Sequence, residues 1–362
     1  MKKTCLHSKH IEAGAMMAPF AGFDMPISYE GIEAEHQAVR ANVGVFDVSH
    51  MGEVVVSGSQ AEAFVNYIFS GDVSVIENGK IVYGMMLNDC GGVVDDLLVY
   101  KRDVNEYFLV INASNIDKDV EWLMSHASNY DVTIDNQSDH WAELAIQGPN
   151  AETTIERILG VDCSDLSFYT FKDVDIDGLR AIISRTGYTG EDGFELYAPA
   201  QIIEKAWGAL ISGSVIPCGL GCRDTLRFEA GLPLYGDELS DSITPFEAGL
   251  GAFVKLDKDD FIGKEALMAQ KQCGVKRKLV GLEVEGRAIA RHGYEVVNEQ
   301  GETVGHVTTG YHSISLDRNL AMALVDSRYA EQGTLLRVQV RKKLFPARVV
   351  NKRFYKPNYK RQ

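Results

Sequence analysis

The chain has 362 residues, too many for one compact core, and its 45% hydrophobic and 24% charged content is that of a folded globular protein divided into two or three domains. A formal net charge of -15 argues against nonspecific binding to nucleic acid or to anionic membranes. Six cysteines scattered over this length form no disulfide framework, and Cys218 and Cys222, though four apart, have neither a second cluster nor a histidine pair with which to build a zinc site.

At the start of the chain Lys2 and Lys3 run into polar residues rather than the apolar core of a secretory signal. The apolar stretch 13–23 is broken by Gly14, Pro19 and Gly22 and is too short to cross a bilayer, so a cytoplasmic protein is expected. Residues 31–43 place Ile32, His36, Val39 and Val43 at helical spacing, with Gly44 expected to cap the C-terminus. In the strand that follows, VFDVSHMGEVVVSG, the cluster Asp47, Ser49 and His50 invites a serine triad. Neighbours on an extended chain project to opposite sides, however, so His50 is expected to be a hydrogen-bonded structural histidine. From 57 to 136 strands alternate with helices over 60–69 and 116–127, a small α+β unit.

Within that unit the stretch 88–100, NDCGGVVDDLLVY, is a turn between two apolar runs and predicts a hairpin. Strand alternation sets Val93, Asp95, Leu97 and Val99 in one row and Val94, Asp96, Leu98 and Tyr100 in the other, which excludes a carboxylate dyad sharing one proton. One acid is left for a pocket while the other faces solvent or pairs structurally, unless both lie at the wet end of the hairpin. Asn112 ends the next strand. Ser114 or Asn115 can cap the following helix, which leaves Asn112 for a pocket or for the turn itself.

A strand over 141–147 turns at Gly148 and Pro149 into a helix ending near Leu159, and a strand over 180–184 leads into RTGYTGEDGFELYAP. Gly187, Gly190 and Gly193 are expected to supply positive-φ turns before a strand with Phe194 and Leu196 on one face and Glu195 and Tyr197 on the other. Without a Walker lysine or a following helix, and with Glu191 and Asp192 in place, this loop is no phosphate cradle. A carboxylate beside it suits a flat ligand with adjacent N–H donors. After a helix over 200–211, Arg223 and Arg227 share one helical face ended by Gly231 and Pro233, to be paired with Asp224 and Glu229 or with a ligand carboxylate. Beyond a junction near Lys276, Arg277 and Lys278, strands alternate throughout, with Leu336, Val338 and Val340 facing one way and Arg337, Gln339 and Arg341 the other, which predicts a small β-barrel. No acid follows Glu331, so the run of bases from Arg337 to Arg361 is either a solvated strand face or a docking surface for an anionic partner.

Nine strings in one order carry a resemblance: HQAVRANVGVFDVSHMG, GGVVDDLLVY, VINASNIDKD, AIQGP, SRTGYTGEDGFEL, PCGLGCRDTLRFEAGLPLYG, FVKLDK, HVTTG and FYKPNY. Together the chain resembles the T-protein family of the glycine cleavage system, folate-dependent aminomethyltransferases. The resemblance implies an α+β, three-domain cloverleaf around a central folate pocket: a discontinuous first domain (1–50 and 137–250), an inserted ferredoxin-like α+β domain (51–136), a linker (251–275) and a C-terminal β-barrel (276–362). It implies that Asp96 is the essential aspartate, that Glu195 grips the pterin, that Arg223 and Tyr359 contact folate, and that Tyr83, Asn112 and Tyr188 line the pocket. It also implies the reaction, in which a one-carbon unit passes from the aminomethyl group on the lipoyl arm of H-protein to tetrahydrofolate, the acceptor substrate, with no metal or redox cofactor. Two other functions share the scaffold, a folate-dependent demethylase of a small methylated compound and a noncatalytic folate-binding protein of iron-sulfur maintenance. The KGCxxGQE-type string of the latter is missing here.

Overall fold

The structure, a computed structural model, describes residues 1–360, so that Arg361 at the end of the basic run lies outside the described residues. In chain order the first elements are α1 (His7–Glu12), the hairpin β1 (Met16–Phe20) and β2 (Phe23–Ser28), α2 (Ile32–Ala41) and β3 (Gly44–Asp47). The chain continues through β4 (Gly52–Ser57), α3 (Ala61–Ile68), β5 (Lys80–Leu87), β6 (Val93–Asp103), β7 (Glu106–Ile111), α4 (Ile116–His126) and β8 (Thr133–Asn136). It returns in β9 (Ala142–Gln147), α5 (Ala151–Leu159), β10 (Phe171–Ile176), β11 (Leu179–Ser184), β12 (Gly193–Ala198), α6 (Ala200–Ser212), β13 (Ile216–Pro217) and α7 (Leu220–Glu229). After α8 (Lys264–Cys273) come β14 (Arg277–Val284), β15 (Glu295–Val297), β16 (Thr303–Ser313), β17 (Arg318–Asp326), β18 (Leu335–Val340) and β19 (Lys343–Val350).

Three sheets carry the architecture. The first has the order β10-β11-β12-β9-β3-β13, and β3 pairs directly with β9 although the second sheet lies between them in sequence. Alternation explains its two faces: Leu144, Ile146, Phe194 and Leu196 bury against Ile155 of α5 and Ile203 and Leu210 of α6, which turns Glu143, Glu195 and Tyr197 to the other side. The second sheet has the order β5-β6-β7-β4-β8, all antiparallel, which is ferredoxin-like with β5 added at one edge. Phe64 and Ile68 of α3 and Leu123 of α4 cover one of its faces against Val54, Leu97, Val99 and Leu109. Its opposite face meets the first sheet through Tyr100, Phe108, Phe171, Ile182 and Tyr197. The hydroxyls of Tyr100 and Tyr197 lie 3.0 Å apart, so their aromatic bodies are buried and their polar ends still satisfied. The third sheet is the expected barrel, closed in the order β14-β17-β16-β15-β18-β19 around Leu282, Val307, Val325 and Val338.

Helix α7 joins the barrel to the rest. Arg227, 1% exposed, donates to Glu238 (2.7 Å) and Asp224 (2.6 Å) and reaches Thr309 on β16 (3.2 Å). Glu229 accepts from Arg40 (3.1 Å) and from the Ser313 hydroxyl of the barrel (2.6 Å), and lies 3.2 Å from His36. Asp224 thus pairs with Arg227 as expected, but Glu229 pairs with neither arginine of its own helix: it binds Arg40 and His36 of α2 and Ser313 of the barrel, contacts separated too far in sequence to be read from helical spacing. Gly44 does not cap α2 either. It opens β3, where a Cβ would come within 2.6 Å of Cys218 Sγ and 2.7 Å of Val39, so glycine permits close packing there. Within 251–275, expected as a linker, α8 buries Leu267 against the core containing Met85, Leu87 and Val93. Arg227→Met should lower unfolding stability by roughly 3–5 kcal/mol, because Glu238 would remain buried without its cation. A denaturant midpoint unchanged from the parent would contradict this.

Candidate active site

The hairpin of β5 and β6 delivers the two acids to different environments. Its turn is covered: Val93 N donates to the carbonyls of Ser240 and Ile243, and Asn88 Nδ2 donates to that of Asp241 (2.9 Å), so neither acid lies at a wet end. Asp95 is wholly buried and accepts from the Asn112 backbone N–H (3.0 Å), Asn112 Nδ2 (2.8 Å) and Asn115 Nδ2 (2.7 Å). Of the roles open to the second acid, structural pairing is the one observed. Asp96, half-buried, accepts from the Tyr83 hydroxyl at Oδ2 (2.9 Å) and from Asn112 Nδ2 at Oδ1 (3.0 Å). Burial and then the negative charge of Asp95 push the Asp96 carboxyl up to about 7, outweighing the hydrogen bonds from Tyr83 and Asn112. An acid poised there can give or take a proton at neutral pH.

Asn112 is therefore committed to both acids rather than free. No side chain caps α4: the Asn115 side chain is held instead by donation of its amide N–H to the buried Asp95. Glu195, 6% exposed, accepts the Thr186 hydroxyl at Oε2 (2.5 Å), and burial raises its carboxyl against the opposing effects of Thr186 and Arg223. The Arg223 guanidinium stands 4.8 Å from the centre of the Tyr188 ring and, among the described residues, makes no hydrogen bond or ion pair. Tyr188 in turn donates to the Pro233 carbonyl. Tyr359 stacks on Phe168, which stacks on Tyr169, each pair 4.4 Å apart. Tyr83, Tyr169 and Tyr188 all keep some solvent contact, yet desolvation dominates the upward shift of each phenol. Such side chains are neither sealed in a core nor fully open to solvent. A separate surface cleft of about 450 Å³, lined by Phe246, Gly251, Val254, Leu256, Asp257 and Lys271, contains none of these groups.

Several residues here escape sequence reasoning. Tyr169, at φ 63°, has its phenol raised by burial first and then by the neighbouring Tyr359 and Glu195. Glu53 and Glu143 are buried, with both oxygens of the first and Oε2 of the second unpartnered among the described residues, and burial holds both carboxyls well above the usual range. Each sits on an ordinary alternating strand, and nothing in that pattern marks it. His50 departs from expectation: it is buried and edge-on to Phe20, its Nδ1 meets no partner among the described residues, and burial and then Arg223 lower it to about 4. Asp47, of the rejected triad, bonds to His10 (2.8 Å) and Thr4 (2.6 Å) of the N-terminal segment. Only Gly190 of the three loop glycines has positive φ; at Gly187 and Gly193 a Cβ would run into Gln147, at 2.0 and 2.5 Å. Glu35, Cys218 and Cys222 have ligand atoms within 4.8 Å of one another. The Glu35 oxygens, however, already accept the backbone N–H groups of Tyr29, Gly31 and Gly219. Part of the basic run is also occupied structurally, with Arg337 donating to the Asn298 carbonyl and Lys352 to that of Ala248.

Residues 6–258 match the family model of the GCVT N-terminal domain, and residues 277–356 that of the glycine cleavage T-protein C-terminal barrel domain. The chain is 50% identical over 366 residues to an aminomethyltransferase of Caldanaerobacter subterraneus subsp. tengcongensis, covering 100% of this chain and 98% of that one. It is 48% identical to one of Clostridium botulinum, over 98% and 97% of the two chains. The crystal structure of glycine cleavage system aminomethyltransferase T from Bartonella henselae superposes with a TM-score of 0.95 at 32% identity, over 99% of each chain. Matched from end to end in sequence and in fold, the chain belongs to the glycine cleavage T-protein family of aminomethyltransferases.

Proposed function

We propose that this enzyme takes the aminomethyl group on the lipoyl arm of H-protein and passes its one-carbon unit to tetrahydrofolate, forming 5,10-methylenetetrahydrofolate, ammonia and the dihydrolipoyl arm. The observation that carries the reading is a half-buried acid near neutrality, Asp96, whose two oxygens are each fixed by a neighbour. The carbon loses its bonds to sulfur and nitrogen and gains bonds to two folate nitrogens. The two N–H protons end on sulfur and ammonia, so the step balances without an oxidant. Asp96 accepts a proton as a folate nitrogen attacks and stabilises the positive charge developing at the carbon. Glu195, with Oε2 fixed by Thr186, accepts the 2-amino and N3–H donors of the pterin. Arg223 meets a carboxylate of the folate tail, Tyr359 adds an aromatic wall, and Tyr83, Asn112 and Tyr188 complete the lining. Much of the acceleration is positional, with effective molarities of about 10⁵ M or more accessible to reactants held in register.

The proposal keeps the division into a discontinuous domain 1–50 with 137–250, an insert 51–136 and a barrel from 276, and a cytoplasmic place of action. No helix among the described residues is long and apolar enough to cross a membrane.

Supplied with tetrahydrofolate and aminomethylated H-protein, the enzyme should release ammonia and methylenetetrahydrofolate, and omitting any component should stop both; ammonia without the folate product would exclude the proposed acceptor. Asp96→Asn should abolish turnover yet leave folate affinity within about tenfold, ~1.4 kcal/mol. Equal losses of binding and turnover would contradict that division of labour. Glu195→Gln should do the converse, raising the folate Kd roughly tenfold or more through loss of a charged hydrogen bond worth about 1.5–3 kcal/mol, with kcat at saturation little changed. Activity should fall as pH drops through about 7, where Asp96 takes up its proton. Tyr83→Phe should move this limb to higher pH, because the phenol's hydrogen bond favours the carboxylate; an unmoved limb would separate Asp96 from the titration seen in the rate.

A further inference from the structure

Near Asp95, the acid that β6 turns away from Asp96, lies a further acidic group that the reaction as proposed does not use. Asp119 on α4 is wholly buried, and neither of its oxygens receives a hydrogen bond from the described residues. The charged groups that bear on it are the carboxyl of Asp95 on β6 and the amine of Lys118. Two carboxylates cannot bond to each other; a carboxylic acid and a carboxylate can. Asp95 already accepts three N–H donors from Asn112 and Asn115 whereas the oxygens of Asp119 accept none, so the proton of a bond between the two acids belongs on Asp119.

The competing influence is Lys118, whose Nζ is 3.4 Å from Asp119 Oδ1. That amine is partly exposed and donates instead to the Val94 carbonyl and to the Tyr235 hydroxyl (3.3 Å). Burial and the neighbouring Asp95 together push the Asp119 carboxyl up to about 10, against the pull of Lys118.

We propose that Asp119 is a positioning residue that stays protonated, donates its hydrogen bond to Asp95, and through Asp95 and Asn112 fixes the carboxylate of Asp96. The links are short and continuous: the Asn112 amide nitrogen is 2.8 Å from Asp95 Oδ1 and 3.0 Å from Asp96 Oδ1. Without a donor at position 119, Asp95 has one bond fewer on its far side and can shift or rotate, and Asn112 follows it. Asp96 then loses the orientation it needs against the reacting carbon, where displacements of about 1 Å can cost up to a hundredfold in rate.

The inference rests on the transfer reaction proposed above, and its test separates the two. Asn at position 119 offers an N–H to Asp95 much as the neutral acid does, whereas Ala offers nothing. Asp119→Asn should keep kcat within about threefold of the parent, and Asp119→Ala should lower it roughly tenfold or more with KM for tetrahydrofolate little changed. The infrared difference spectrum of parent minus Asp119→Asn at neutral pH should contain a protonated-carboxyl stretch, which can be read with no substrate present and also if the alanine variant does not fold. An absent band, an Asp119→Asn variant as impaired as Asp119→Ala, or a fully active Asp119→Ala variant would each overturn the proposal. A parent enzyme that shows the band but does not use tetrahydrofolate would overturn the reaction and leave the protonated Asp119 standing.

Discussion

One asparagine side chain holds the chemistry in place. A β-strand must send adjacent residues to opposite faces, so Asp95 and Asp96 diverge from a common backbone. The Asn112 amide, at the end of the neighbouring strand, joins them again by bonding to Asp95 Oδ1, Asp96 Oδ1 and the Asp96 carbonyl. Asp95 is thereby kept close enough for its charge to raise the acid beside it, while Asp96 keeps a fixed direction. A carboxyl raised in this way favours the folded state fully only below its unfolded pKa, and that stability is lost as pH rises through about 7. Poise at the site is thus obtained against stability, and the covered hairpin, the antiparallel register and the asparagine pair together sustain it.

The rest of the molecule brings other groups in front of this acid. Burying Leu144, Ile146, Phe194 and Leu196 beneath α5 and α6 leaves Glu143, Glu195 and Tyr197 facing the second sheet. The Tyr100–Tyr197 contact lies within the apolar cluster that joins the two sheets. Helix α7 is anchored through Arg227 and Glu229, while Arg223, on the same helix, lies over the Tyr188 ring with no hydrogen bond or ion pair to its guanidinium among the described residues. Two arginines of similar appearance in sequence therefore do opposite jobs. One is held by Asp224 and Glu238, and the other rests on an aromatic ring.

What was legible in the sequence was whatever repeats at short range. The hairpin, the divergence of Asp95 from Asp96, the facing of Glu195 and the barrel all follow from a period of two residues and from turn chemistry. Features decided by distant partners were not legible. Asn115 looks like a helix cap until a buried carboxylate 20 residues earlier claims it. His50 looks like a hydrogen-bonded histidine until its buried Nδ1 is found without a partner among the described residues. Gly187 and Gly193 look like turn glycines until Gln147 fills the space where their side chains would be. Glu53, Glu143 and Tyr169 carry no local signal at all, since an acid or phenol on an alternating strand or in a loop reads as exposed. The particular set Asp96, Glu195, Arg223 and Tyr359 came from resemblance to a family; spacing alone offered candidates without choosing among them.

The central claim is that the geometry around Asp96 makes it an acid of near-neutral pKa, and titration of its side-chain carboxyl carbon by ¹³C NMR tests that claim most directly. The account predicts a midpoint near 7 in the parent enzyme and a lower one in Asp95→Asn, where the neighbouring negative charge is gone. A parent midpoint in the ordinary carboxylate range, about 4, would contradict it.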